Sequence, residues 1–327
     1  MGRLKELDCL RGIACISVLL FHYTTKYSEI FETNLTTGLL NFKFGGIGVD
    51  LFFIISGFVI FLTVKNNTNP LEFVFKRFSR LYPIFWICVI ITFFTIRHSD
   101  LVNYHRSFGE LLVNLTMVPD IFGVKRVDGV YWSLLPELAF YFLMFLLLVM
   151  RKIKHIDLIC FVWLVAIALN SFHDIMPIRV LFNLKFGYFF VIGINFYKLK
   201  YRKSRWWNHA LIAMSYLVSF FVIDSIQKHI ILLTFIFIFY LFAYDRLKWI
   251  NHKFLVTVGE ISYVLYLLHQ FIGYFIIYEL IELGVNNSII LLLVPTTLML
   301  VLSYFITFYV EKPIVNFLRG LNFSFKK

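Results

Sequence analysis

Ten apolar runs follow one another along this chain, at roughly 9–25, 45–64, 81–97, 131–150, 156–173, 180–197, 208–226, 229–245, 255–280 and 289–310. About 17–25 apolar residues carry a helix across a bilayer. In lipid, every backbone polar group must be satisfied inside the fold. The pattern predicts an all-α polytopic membrane protein with about ten transmembrane helices. Composition agrees: of 327 residues, 60% are hydrophobic and only 15% charged, against about half and a quarter in soluble domains. No stretch is long and polar enough to stand alone, so 1–327 is expected to be a single membrane-embedded domain without an appended soluble one. The first run ends in Phe21-His22-Tyr23. It lacks the small residues of a cleavage site and does not read as a signal peptide.

The net charge is +12, but its distribution argues against a nucleic-acid partner. Basic residues collect between runs on one side: Arg3, Lys5 and Arg11; Lys65, Lys76, Arg77 and Arg80; Arg151, Lys152 and Lys154; Lys198, Lys200, Arg202, Lys203 and Arg205; Arg246, Lys248 and Lys253; Lys312, Arg319, Lys326 and Lys327. This bias predicts that both termini are cytoplasmic. The long segment 98–130 then lies outside. Cys9, Cys15, Cys88 and Cys160 fall in apolar stretches without metal-ligand spacing and read as small buried hydrophobes. The sequons Asn34-Leu35-Thr36 and Asn114-Leu115-Thr116 read as chance.

Polar residues inside the runs keep to stripes. Asp8, Arg11, Cys15, Val18 and His22 share one helix face. Arg11 and His22 are roughly 16 Å apart along the axis at 1.5 Å per residue. An ionisable group at the centre of a span costs about 2.5–3.5 kcal/mol, so three on one stripe suggest a polar chamber. Ser133, Glu137 and Tyr141 form a second stripe, and Ser262, Tyr266, His269 and Gly273 a third. Counting residues into each run puts His22, Glu137 and His269 in one layer of the outer half, with Asp50 just above. Each histidine alone is explained by packing, and each stripe by hydrogen bonds between helices. Two histidines and a carboxylate at one depth also suit general-base chemistry. On the inner side, Arg77 and Arg80 point the same way. They read either as positive-inside anchors or as a phosphate clamp. Gly45, Gly46 and Gly48 permit close backbone approach or a broken helix, and they lack the spacing of a nucleotide fingerprint.

Six blocks in order carry a family resemblance: Leu7-Asp8-Cys9-Leu10-Arg11-Gly12 with His22; Gly48-Val49-Asp50-Leu51-Phe52-Phe53 with Ser56-Gly57-Phe58; Arg77-Phe78-Ser79-Arg80-Leu81-Tyr82-Pro83; Trp132-Ser133-Leu134 with Glu137 and Phe140-Tyr141; Ser262-Tyr263 with Tyr266-Leu267-Leu268-His269; and Glu311-Lys312-Pro313. Over essentially its whole length the chain resembles the acyltransferase 3 family of integral-membrane O-acyltransferases. The resemblance implies ten spanning helices in a bacterial inner membrane and transfer of an acyl group, usually acetyl, from cytoplasmic acetyl-CoA. The implied acceptor is a hydroxyl of an extracytoplasmic or lipid-linked glycan such as O-antigen, exopolysaccharide or capsule. The family's essential histidine maps to His22, its essential arginine to Arg11, and its arginine pair to Arg77 and Arg80. Leu135-Pro136 departs from the family pattern, and Pro136 is expected to bend its helix ahead of Glu137.

The resulting expectation is an enzyme with acetyl-CoA as co-substrate and neither a permanently bound cofactor nor a metal. His22 is the expected base, oriented by Glu137 or Asp50. Arg11, Arg77 and Arg80 hold the donor. Asp8, Asp50, Ser56, Trp132, Ser133, Tyr263, His269 and Glu311 support the site, with Trp132 and Tyr263 as candidate sugar platforms. The alternative is a transporter or flippase of a lipid-linked glycan with His and Glu as a proton relay.

Overall fold

The computed structural model describes residues 3–32, 41–66, 69–173, 175–201 and 206–324. Arg202, Lys203, Arg205, Lys326, Lys327 and the Asn34 sequon lie outside the described residues. Among those described, every regular element is helical. The expected runs fall on α1 (Lys5–Phe31), α2 (Gly45–Lys65), α3 (Pro70–Arg97), α4 (Gly129–Val149), α5 (Ile153–Asn170), α6 (Gly187–Tyr201), α7 (Trp206–Ser219), α8 (Ile226–Ala243), α9 (Lys253–Glu282) and α10 (Ser288–Gly320).

Among the described residues, eight of these helices are long and apolar enough to cross a membrane. The exceptions are α6 and α7, with 15 and 14 residues. Their described parts meet residues 202–205, which lie outside the described residues. The run 180–197 is cut by a turn in which Asn183 takes a left-handed φ of 50°. The Asn183 amide donates to the Pro136 carbonyl at 3.0 Å, and the Trp163 indole to that of Phe182 at 2.7 Å. Composition cannot register a turn held by partners so distant in the chain.

The chain packs as two units. One comprises Met1–Arg11, Ile47–Val74 and Pro136–Lys253; the other comprises Gly12–Gly46, Phe75–Leu135 and Phe254–Lys327. At the centre of the first, α6 is buried from Gly187 to Leu199, as befits a helix apolar all round. It meets α2 backbone to backbone. A Cβ on Gly57 would overlap the Phe190 carbonyl, and one on Gly193 that of Ile54. Small residues permit such approach. The Asn208 amide donates to Asn195 at 2.9 Å, and Lys198 pairs with Asp157.

In the second unit α9 is the central helix. Gly12 of α1 lies against the Leu255 carbonyl, and the Cys15 thiol donates to the Ser262 carbonyl at 3.6 Å. All four cysteines are buried thiols outside any disulfide, as expected of small hydrophobes. The segment before α4 is pinned by Asn114, which is fully buried. Its amide donates to the carbonyls of Glu110 and Lys125 at 2.9 and 3.0 Å, and its oxygen accepts from Val127 N–H at 2.9 Å. The Asn114 sequon is therefore a structural clamp. Pro136 falls near the start of its helix. The α-helical part of α4 begins at Leu134, so the proline sits in the first turn, where a missing N–H costs nothing.

Candidate active site

At His22 the first span changes register. His22–Lys26 forms a π turn, a bulge frequent at functional sites. The imidazole folds back so that Nδ1 lies 2.8 Å from the Val18 carbonyl oxygen. α9 supplies a second, buried imidazole, His269, whose Nδ1 lies 3.1 and 2.9 Å from the carbonyl oxygens of Leu265 and Tyr266. His269 Nε2 lies 3.2 Å from His22 Nδ1, and the rings meet edge to face at 4.9 Å. The matching depths expected of His22 and His269 thus bring them into contact.

Proton positions follow from these partners. Carbonyl oxygens only accept, so in the neutral pair each Nδ1 carries the hydrogen. His22 Nδ1–H is shared between the Val18 oxygen and His269 Nε2. His22 Nε2 keeps its lone pair, which is what a general base requires.

The partner on the protonated nitrogen of His22 is therefore an imidazole, that of His269. In the first unit Glu137 accepts from Ser56 at 3.1 Å and from Tyr141. Asp50 lies within electrostatic reach of Lys228 on α8. Asp8 pairs with Arg3 at 2.5 Å. Arg11 stands three turns before His22 on the same helix.

Three residues around the histidine pair had no role in the sequence reading. The Tyr23 hydroxyl donates to the His269 carbonyl at 2.7 Å, and its ring fills the space left by Gly273. The glycine on the third stripe was the available signal. The ring of Tyr274 stands 6.5 Å from His22, and its buried hydroxyl has no hydrogen-bond partner among the described residues. Asp128 precedes α4 and accepts from the N–H groups of Val130 and Phe271, both at 3.1 Å. Burial pushes its carboxyl up to about 7, against these backbone bonds. Asp128 falls in a polar segment that periodicity does not interpret.

The start of α4 is stapled to α9. Ser133 and Tyr266 share a 2.8 Å bond, and the Tyr131 hydroxyl donates to the Leu267 carbonyl at 3.2 Å. Trp132, half-buried, lies between these two anchors. Tyr263 donates to the Leu81 carbonyl at 3.0 Å and so ties α9 to α3 just after Arg80. That bond lies six residues before His269, about 9 Å along the axis. Arg77 and Arg80 are half-buried one turn apart, and Arg319 of α10 lies within electrostatic reach of Arg80. Lys312 pairs with Glu260 at 2.5 Å. Glu311 closes a second π turn, Thr307–Glu311, within electrostatic reach of Cys88.

A family model described as an acyltransferase domain, acyltransferase 3, matches residues 4–310. The chain belongs to this acyltransferase family. Among its relatives are the acyltransferase MdmB of Streptomyces mycarofaciens, 26% identical over 42% of this chain and 38% of its own length; the exopolysaccharide production protein ExoZ of Rhizobium meliloti, 29% identical over 31% and 33%; and the peptidoglycan O-acetyltransferase OatA of Listeria monocytogenes, 28% identical over 46% and 25%. The matched stretches thus span under two fifths of the length of these acyltransferases. No solved structure matches the chain.

Proposed function

We propose that this acyltransferase-family protein moves an acyl group, acetyl in the first instance, from cytoplasmic acyl-CoA to a hydroxyl of a cell-surface or lipid-linked polysaccharide. The observation that carries the reading is the His22–His269 pair, whose bonds leave His22 Nε2 unprotonated. The acceptor O–H gives its proton to Nε2 while its oxygen attacks the thioester carbonyl carbon. The tetrahedral adduct collapses with cleavage of the C–S bond, and the proton passes from Nε2 to the departing thiolate. As Nε2 takes the proton, Nδ1–H becomes a charge-assisted donor to Val18 and His269. An acyl-histidine intermediate is the covalent variant of the same chemistry.

Arg77, Arg80 and Arg319 form the basic end at which the donor's phosphates dock, with Arg11 as the further donor-binding residue that the family pattern implies. An inner-membrane location with both termini cytoplasmic puts that end inside, by the positive-inside bias. Glu137 belongs to the catalytic set by the family pattern. The hydroxyls of Ser56 and Tyr141 hold its carboxylate as an acceptor.

The test uses the purified protein in vesicles with labelled acetyl-CoA and a surface-polysaccharide fragment. Wild type is expected to yield O-acetylated product and His22→Ala none, at equal protein level. Full transfer by His22→Ala overturns the mechanism. Glycan transport without acyl-CoA and without acetylation replaces it with the transporter reading.

A further inference from the structure

The second unit holds a cavity of about 480 Å³, bounded by Tyr104, Arg106, Asp120, Lys125, Arg126 and Phe271 among others. Its size is that of a small-ligand site. One wall is aromatic: Tyr104 and Phe271 meet edge to face at 4.8 Å. The rest is basic. Asp120 is engaged by Arg126, which grips it through Nε at 2.9 Å and Nη2 at 2.7 Å. Asp128, buried behind Gly129, has its oxygens on the N–H groups of Val130 and Phe271. Glu110, within electrostatic reach of Arg106 and Lys125, is held by the backbone N–H of Ser107 at 2.8 Å. Two cations are left over. Arg106 donates to the carbonyls of Arg126 and His105 at 3.0 and 2.8 Å, which occupies two of its five N–H groups. Lys125 is exposed.

The cavity is connected to the imidazole pair through rings. Phe271 lies 6.0 Å from Tyr274, and Tyr274 lies 6.5 Å from His22. Phe271 also sits two residues beyond His269 on α9.

We propose that this cavity seats the acceptor and selects a negatively charged sugar. Tyr104 and Phe271 offer apolar faces to the ring, and Arg106 and Lys125 take its carboxylate or phosphate. The assignment of the ligand as acceptor rests on the acyltransferase reading; the preference for an anionic saccharide does not.

Calorimetry on the full chain in lipid nanodiscs, with a hexuronate trisaccharide and its neutral hexose counterpart, tests the proposal. Wild type and His22→Ala are both expected to bind the acidic sugar at least about tenfold tighter, a difference near 1.4 kcal/mol. Arg106→Gln with Lys125→Gln should abolish the preference. Lys125→Glu, at an exposed side chain, should reverse it without disturbing the loop that Arg106 supports. Equal affinity for both sugars in wild type, or an unchanged preference in Lys125→Glu, overturns the proposal. Selective binding without any acetyl transfer refutes the acyltransferase reading and leaves the anionic site standing. Transfer to neutral sugars with no charge preference does the opposite.

Discussion

His22 in one unit and His229 in the other are both histidines in apolar helices, and the difference that matters is how their ring nitrogens are bonded. His229 has both ring nitrogens occupied: Nδ1 lies 3.2 Å from the Ser219 hydroxyl and Nε2 lies 3.1 Å from the Ile223 carbonyl. Its ring stacks on Phe220 at 3.9 Å. Among the described residues, His22 places both of its bonds on one nitrogen, Nδ1. A fully bonded imidazole holds helices together and has no lone pair to offer, whereas one bonded on a single side retains its acid–base capacity. The distinction between a packed and a reactive histidine therefore lies in how its bonds are divided between two atoms. Burial does not make it, since His229 is more enclosed than His22.

The largest predicted contrast is between alanine substitutions at these two positions. His22→Ala should lower acetyl transfer by about 10²–10⁴-fold with a smaller loss of thermal stability than His229→Ala. His229→Ala should leave the rate intact and cost about 1–3 kcal/mol through its unsatisfied partners, read as a lower melting temperature. The opposite pattern would break the comparison.

His269→Ala comes next. It removes an acceptor from the protonated face of His22 and should reduce kcat by about 10–100-fold, in line with loss of one hydrogen bond to a charged group. KM for the donor should not change. His269→Gln, which restores an amide oxygen near that position, should recover part of the rate and shift the pH profile. A purely structural His269 would give neither effect.

Arg77→Gln combined with Arg80→Gln should raise donor KM by about tenfold or more, from lost charge-assisted bonds, with little change in kcat at saturation. An unchanged KM would leave the arginines as topological anchors. The smallest expected effect is at Tyr274→Phe. It removes an unpartnered hydroxyl and should change stability by less than about 1 kcal/mol. A rate loss above about fivefold would place that hydroxyl on the substrate.

Much of the site was legible along single helices. The spacing of His22 and His269 within their runs predicted a shared depth, and the two rings touch. The arginines were legible as a pair one turn apart. Glu137 reads from the sequence as a candidate to orient His22, and in the first unit its carboxylate accepts from Ser56 and Tyr141. Asp128 was missed because a carboxylate in a polar segment looks solvated until backbone N–H groups from two elements close on it. The run 180–197 reads as one uninterrupted stretch because its residues are apolar. The turn that interrupts it is held by Asn183 and Trp163 side chains reaching other segments.

By itself the amino-acid order determined membrane residence, all-helical architecture and the set of polar residues carried into the apolar layer, because these follow from transfer energies and helical period. The tertiary structure decided which nitrogen of His22 carries the proton and where the run 180–197 is interrupted. Both depend on hydrogen bonds, some between residues more than two hundred positions apart, that no local pattern encodes.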